Sequence, residues 1–287
     1  MSKELSASKR RKKKQIFISK SITYVLLIIG ALIMAIPFLW MLSTSLKTEG
    51  VVFSIPPKWI PDEIMWSNYK QAIEQAGLLE GFINTLKIVI PTVTIGIFSC
   101  SLAAYGFAQL RFPGRDKLFM VLLATMMIPG IVTMIPSYVL FMKFDWIDTY
   151  KPLMIPAMFG GASCVFFLRQ YFKTLPRELI EAAKLDGLSD FGIFMKIAAP
   201  LSKPAIATQA IFGFLGGYND YMGPLIYLNS PEKFTIQLKL ATFNGAYSSQ
   251  WTLIMAGSVL ALIPTLLLFF FAQKYFVEGI VMTGLKG

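Results

Sequence analysis

The chain of 287 residues has no histidine, only two cysteines and few charged residues. The absence of histidine excludes Ser-His and Cys-His catalytic pairs, His-ligated metal sites and phosphohistidine relays. Two cysteines are too few for a disulfide framework or a Cys-rich zinc site. Charged residues make up 15% of the chain, against about 25% in an ordinary soluble domain. The sequence therefore lacks the polar surface that a soluble fold of this size needs.

Hydrophobic residues, in contrast, account for 55% of the chain. A helix needs about 20 apolar residues to cross a hydrocarbon core of roughly 30 Å. We therefore predict an all-α membrane protein with six transmembrane helices, at Ile22–Leu46, Phe82–Leu110, Leu118–Phe144, Pro152–Phe172, Pro204–Leu228 and Trp251–Phe276.

The net charge of +11 indicates an orientation in the membrane and not a nucleic-acid partner. The N-terminal segment Met1–Lys20 is basic, and the apolar run after it continues to Leu46 without a cleavage site of small residues. With a cytoplasmic N-terminus, 19 of the 27 Lys and Arg residues fall in cytoplasmic segments, as the positive-inside rule requires. We predict a basic cytoplasmic tail at residues 1–21, a single transmembrane domain at residues 22–287, and both termini in the cytoplasm.

The longest predicted cytoplasmic loop, at about residues 173–203, has the pattern of two short helices joined at a glycine. Pro176 is favourable at the start of the first helix, and Gly187 is a natural stop for it. Ser189 can then cap a second helix over Phe191–Ile197. The loop is therefore predicted to be ordered, although it has no stretch long enough to cross the membrane.

The same loop contains a spaced set of residues at Glu181, Ala182, Ala183, Gly187, Ile197 and Pro200. Their spacing, which is Glu-Ala-Ala, three residues, Gly, nine residues, Ile, two residues and Pro, resembles the EAA motif of ABC importer permeases. The usual ending is Ile-x-Leu-Pro, and this chain has Ala199 in the Leu place. The resemblance extends from about Phe82 to the C-terminus, and three other segments are similar to the sugar-import branch: Ala104–Asp116, Met127–Gly130 and Gly284–Gly287.

The resemblance implies a type I ABC importer permease fold with a cytoplasmic coupling-helix loop, in the plasma (inner) membrane of a bacterium. It implies a carbohydrate substrate of the oligosaccharide class, as in the maltose-type systems that the sequence resembles. It also implies a second related permease as a heterodimer partner, two cytoplasmic ATPase subunits and an extracytoplasmic sugar-binding protein. No cofactor is expected on this chain, because ATP and Mg²⁺ would bind the partner ATPase. The residues implied for ATPase coupling are Glu181, Ala182, Ala183, Lys184, Asp186, Gly187, Ile197 and Pro200.

A second candidate site lies within the fifth predicted span. Asp220 is the only acidic residue inside the six predicted spans, and a charge at membrane depth usually faces a cavity or a partner. Aromatic, amide and carboxylate groups are those that recognise a sugar, and they occur together at Tyr218, Asn219, Asp220 and Tyr221. The alternative is that Asp220 pairs with a nearby Lys or with the partner permease and contacts no sugar.

Two other classes of protein compete with the importer permease. A secondary transporter or channel driven by an ion gradient usually buries more ionisable groups than one Asp. An intramembrane enzyme would need a His or a cluster of carboxylates within the spans, and the sequence has neither. No Walker A loop is present, so the sequence predicts that ATP is hydrolysed by a partner.

Overall fold

A computed structural model of the chain describes residues 2–245 and 250–284, with side chains for residues 17, 19–245 and 250–273. Two features of the sequence lie outside the described parts, namely the side chains of the basic run Lys9–Lys14 and the closing residues Leu285–Gly287. The fold is helical, as the apolar runs predict. Its helices are α1 (Ser2–Ser45), α2 (Ser67–Ala76), α3 (Leu78–Gln109), α4 (Arg115–Thr125), α5 (Gly130–Lys143), α6 (Lys151–Met158), α7 (Ala162–Phe172), α8 (Arg177–Leu185), α9 (Asp190–Ile193), α10 (Ala199–Leu201), α11 (Lys203–Tyr218), α12 (Met222–Tyr227), α13 (Ile236–Ala241) and α14 (Trp251–Gly284).

Four helical segments within the described residues are long and apolar enough to cross a membrane: Ser19–Ser45, Leu78–Gln109, Lys151–Phe172 and Trp251–Gln273. They match four of the six predicted spans. A fifth crossing results if the bent pair α4 and α5 forms one span. The structure thus confirms a helical membrane protein and does not confirm the count of six.

The other two predicted spans, Leu118–Phe144 and Pro204–Leu228, are broken helices. Helices α4 and α5 meet at 94° around Pro129, because proline cannot donate the backbone hydrogen bond that would continue α4. The fifth predicted span divides into α11, which has 16 residues, and α12. The break between them falls at Asn219–Tyr221, beside the candidate acidic residue.

The bundle has two distinct ends, which we name by their contents. The motif side carries α8 and the end of α3, where the Gln109 side chain donates to the Phe172 carbonyl at 2.6 Å. The far side carries the start of α3, where the Asn84 amide donates to the Glu232 carbonyl at 2.7 Å. Helix α3 therefore passes through the whole bundle and joins both ends.

The largest group of buried residues lies on the motif side. Tyr105 of α3 packs against Phe172 and Phe194, with ring centroids 5.9 Å and 5.4 Å away. Close approach of α3 to the break between α6 and α7 depends on Gly160, since a Cβ there would lie 2.3 Å from the Cys100 Sγ and its φ is +83°. This core holds the predicted coupling loop against the membrane-spanning helices.

A carboxylate from the beginning of the chain caps the last helix on the far side. Glu49 accepts hydrogen bonds from the backbone N–H groups of Trp251 and Thr252, at 2.9 Å and 3.0 Å. It also accepts the Thr252 hydroxyl at 2.7 Å. These are first-turn N–H groups of α14, which have no partner within the helix and favour negative charge.

Asp148 joins two separate segments on the far side. Its carboxylate accepts the backbone N–H groups of Asn229 and Ser230, both at 2.9 Å, and forms a 2.8 Å ion pair with Lys233. The Lys233 ammonium, the Ser230 hydroxyl and these N–H groups hold the pKa of Asp148 well below its usual range. The connection between α5 and α6 is thereby fixed to the segment after α12, close to the break near Asp220.

We expect Asp148→Asn to lower the melting temperature of the purified chain at pH 7 by about 2–4 °C, because Lys233 loses its anionic partner. Since the folded pKa lies below the unfolded value near 4, the carboxylate stabilises the fold fully above about pH 4. That stabilisation is lost as the pH falls further toward the folded pKa. The difference in melting temperature between the two proteins should therefore be constant from about pH 7 to 5 and narrow below about pH 4.

Asp145→Asn is the matched control for this measurement. Asp145 lies in the same connection and has the same left-handed backbone, with φ of 53° against 57° for Asp148. It is exposed and has no ion pair among the described residues. An equal loss of stability in both variants, or a difference that does not change with pH, would contradict the role assigned to Asp148.

Candidate functional site

The predicted coupling loop is an ordered pair of helices. Helix α8 begins at Arg177, directly after Pro176, and ends at Leu185. The chain then turns at Gly187, whose φ of +82° lies in the left-handed region that favours glycine. The first helix and its glycine stop therefore lie where the sequence predicts them.

The second helix of the loop is longer than its predicted range Phe191–Ile197. It begins at Asp190, where the Ser189 side chain accepts the Gly192 N–H at 3.1 Å, and continues through a π-helical turn to Leu201. An ion pair of 3.0 Å between Lys184 and Asp190 spans the turn between the two helices. Lys184 therefore has its ion-pair partner, Asp190, within the loop itself.

The motif residues divide between two opposite faces of the loop. Ala183 and the neighbouring Ile180 are buried in the motif-side core, and Ile197 packs against the same core. Glu181, Ala182 and Asp186 are exposed, as are Gly187 and Pro200. The structure places Ala183 and Ile197 where they position the loop, and leaves the exposed residues free to contact a partner.

Leu185 lies beside these exposed residues and was not among the predicted coupling residues. It is 88% exposed, against 44% for Leu179 and 7% for Ile180 on the same helix. It follows Glu181 by one helical turn, so the two side chains share a face. A search for apolar residues on the polar face of the predicted helix would have identified it.

The second candidate site is a cavity of about 520 Å³ between α3, the α6–α7 pair and α11. Most of its wall is apolar or glycine, with polar groups from Thr85, Thr92, Ser163, Gln209, Asp220 and Thr235 among the lining residues. The Thr235 hydroxyl is buried and has no hydrogen-bond partner. An apolar cavity with a few convergent polar groups is the usual form of a small-molecule site.

Asp220 lines this cavity from the break between α11 and α12. Its carboxylate accepts the Gly223 N–H at 3.1 Å and has no ion pair among the described residues. Within the part of the chain that the structure describes, no lysine pairs with Asp220, so that alternative prediction is not met there. The carboxylate has acceptor capacity left for a ligand.

The three neighbours of Asp220 do not join it in the cavity. Tyr218 is buried and donates its hydroxyl to the Ala261 carbonyl at 2.9 Å, which makes it a packing residue. Asn219 lines a separate pocket of about 380 Å³ against α1, α13 and α14. Tyr221 is 40% exposed and does not line the cavity. Only one of the four residues predicted for the pathway thus faces this space.

The cavity contains two residues that the sequence analysis missed, Gln209 and Phe212. They lie on the same face of α11 as Gly213 and Gly216, at intervals of three and four residues, and the series continues to Asp220 just after the helix. Counting back from Asp220 at this helical interval would have identified them. Within the residues that the structure describes, no group of His, Cys, Asp or Glu is arranged to hold a metal ion.

Comparison with known proteins shows which family and which relatives the chain is similar to. The family model described as binding-protein-dependent transport system inner membrane component matches residues 96–281. The chain is 35% identical to the arabinooligosaccharides transport system permease protein AraQ of Bacillus subtilis, over 85% of this chain and 86% of that protein. It is 32% identical to the lactose transport system permease protein LacG of Rhizobium radiobacter, over 91% and 94% of the two chains.

The fold is similar to a chain in the crystal structure of a bacterial ABC transporter involved in the import of the acidic polysaccharide alginate. The TM-score is 0.79 at 24% sequence identity, and the match covers 90% of this chain and 96% of that chain. A second match, to the MetNI methionine ABC transporter, has a TM-score of 0.53 and covers 70% and 95% of the two chains.

Proposed function

The chain belongs to the family of binding-protein-dependent transport system inner membrane components, and on this premise we propose that it translocates an oligosaccharide. It is the membrane-spanning permease subunit of an ABC importer of the sugar-transport branch. The observation that supports an oligosaccharide is the 520 Å³ cavity with one unpaired carboxylate, an amide and several hydroxyls. These groups bind sugar hydroxyls, and relatives are named for arabinooligosaccharides and lactose.

Within the cavity, we assign sugar contact to Asp220, Gln209 and Phe212. The Asp220 carboxylate and the Gln209 amide accept or donate hydrogen bonds to hydroxyls, and Phe212 supplies an aromatic face. Tyr218, Asn219 and Tyr221 support this site from outside the cavity, by fixing the break between α11 and α12. The buried hydroxyl of Thr235 gains a partner when the substrate enters.

Energy for transport comes from ATP and Mg²⁺ bound to a separate ATPase, and this chain carries out no catalysis of its own. The exposed face of α8, which includes Glu181, Ala182 and Leu185, inserts into a cleft of that ATPase. The buried face, with Ala183, fixes α8 to the core that also contains α3 and α7. Movement of the ATPase cleft therefore tilts the helices that line the cavity.

The remaining partners are an external binding protein and a second, related permease that forms a heterodimer with this chain. The first membrane-spanning segment, Ser19–Ser45, has an apolar surface with no buried residue in its most apolar window, so it has area for a second subunit as well as for lipid. The motif side faces the cytoplasm, because the ATPase is cytoplasmic and the basic turn Arg111–Lys117 lies on this side.

Reconstitution tests this function against an ion-driven transporter. The permease is assembled with its candidate partners in proteoliposomes, and uptake of mono-, di- and oligosaccharides is measured with and without internal ATP, in the presence of ionophores. We expect ATP-dependent uptake that ionophores do not abolish and that is highest for an oligosaccharide. Uptake that depends on an ion gradient and does not require ATP would exclude the importer mechanism for this chain.

A further inference from the structure

A basic pocket of about 540 Å³ lies on the motif side, at the turn between α3 and α4 and beside the start of α8. Four of its seven lining residues are cationic and one is acidic; the seven are Arg111, Phe112, Gly114, Arg115, Asp116, Lys117 and Arg177. The pocket is separate from the exposed Leu185 and from the cavity that contains Asp220.

The positive charge of this pocket is not neutralised by the chain itself. Asp116 is already bound to Arg115 at 3.0 Å and lies 3.8 Å from Arg169 outside the pocket. Among the described residues, Arg111, Lys117 and Arg177 form no ion pair. Three cations are therefore available to an anion that comes from outside the chain.

The backbone adds to the attraction for an anion. Helix α4 has 11 residues and begins at Arg115, directly after Gly114 with its φ of +80°. Its N-terminus lies at the pocket, so the helix dipole and the side chains favour negative charge at the same place.

We propose that this pocket binds the phosphate headgroup of an anionic phospholipid in the adjoining leaflet. The pocket lies at the end of α3, a helix long and apolar enough to cross a membrane, and headgroups of the surrounding bilayer are expected near such an end. Basic pockets at this level, next to membrane-spanning helices, are suited to lipid phosphates. The proposal depends on membrane insertion and not on the transported substrate.

The residues next to the pocket favour a lipid over a soluble anion or an acidic protein. Exposed apolar side chains extend from the pocket along α4, and they are Leu118 (55% exposed), Met120 (65%) and Val121 (64%). Phe112, in the pocket wall, is 39% exposed. A ligand with one phosphate and two acyl chains matches both surfaces, whereas a soluble anion leaves the apolar one uncovered.

The test compares the full chain with the triple variant Arg111→Gln, Lys117→Gln and Arg177→Gln. Arg115 is left unchanged because its guanidinium also donates to the Leu110 carbonyl at 3.3 Å. Native mass spectrometry measures the retention of phosphatidylglycerol and phosphatidylcholine by each protein in neutral detergent. We expect the wild-type chain to prefer phosphatidylglycerol, and the triple variant to lose roughly tenfold or more of that affinity while binding phosphatidylcholine as before.

The matched control removes the same charge from the far side, with Lys70→Gln, Lys143→Gln and Lys151→Gln, all at exposed positions. This control should keep the preference for phosphatidylglycerol. Three results would overturn the proposal: an unchanged preference in the Arg111, Lys117 and Arg177 variant, displacement of phosphatidylglycerol by equimolar inorganic phosphate, or failure of that variant to bind the ATPase in phosphatidylcholine nanodiscs. The second would indicate a soluble-anion site and the third a protein contact.

Discussion

Replacing Leu185 with Asp is expected to lower ATP-driven uptake at least tenfold and to prevent stable binding of the ATPase. The side chain is 88% exposed in the free chain, so the substitution removes no internal contact that the fold needs. Burial of a leucine in a partner cleft contributes about 1.5–3 kcal/mol, and a carboxylate in its place adds a desolvation cost. A loss of this size corresponds to roughly ten- to a hundredfold in affinity.

The measurement is co-purification of the ATPase with the permease, followed by uptake in proteoliposomes. Leu185→Met is the matched control, because it keeps an apolar side chain of similar volume and should retain binding. Insertion of each variant into the membrane is checked by the yield of folded chain after extraction. Normal ATPase binding by Leu185→Asp would show that the exposed face of α8 is not the docking surface.

Asp220→Asn is expected to reduce carbohydrate uptake about tenfold while leaving assembly with the ATPase unchanged. The amide oxygen of Asn can still accept the Gly223 N–H, so the local backbone at the break between α11 and α12 is kept. What is lost is the negative charge in the cavity, and a hydrogen bond to a charged group contributes about 1.5–3 kcal/mol. The loss should appear in transport and not in the melting temperature.

Uptake is measured at several substrate concentrations, together with substrate-stimulated ATPase activity of the assembled importer. Asp145→Asn serves as the control, since it removes the same charge from an exposed position outside the cavity. If Asp220→Asn transports its substrate as well as the control does, Asp220 has no role in substrate recognition.

The sequence predicted the helices whose ends carry strong local signals. Helix α8 begins after Pro176 and its turn falls at Gly187, because proline and glycine act on the backbone of their own position. Three predicted spans, Ile22–Leu46, Phe82–Leu110 and Trp251–Phe276, correspond to single long helices, and the length of their apolar runs was enough to predict them. At Leu118–Phe144 and Pro204–Leu228 the predicted spans did not include the break in the helix, because the apolar composition continues through it.

The partition of the motif residues could not be read from their spacing. Ala182 and Ala183 are adjacent and identical in type, yet one is exposed and the other is buried against the core. The difference depends on which way α8 is rotated about its axis, and that rotation is set by contacts with distant segments. Tyr218 and Asp220 are two residues apart and face opposite surroundings, because two residues at helical spacing differ by about 200° in direction.

The bond between Glu49 and the start of α14 has a consequence for the order in which the protein is made. The two partners are 202 residues apart, so the carboxylate leaves the ribosome long before the N–H groups that it caps. At about 5–20 residues per second, this interval lasts roughly 10–40 s. During that time the first helix is in the membrane with its partner α14 not yet synthesised, and the Glu49 carboxylate lacks the N–H groups that it caps. Synthesis of α14, and not insertion of the first helix, is therefore the event that joins the first and last membrane-spanning helices of this permease.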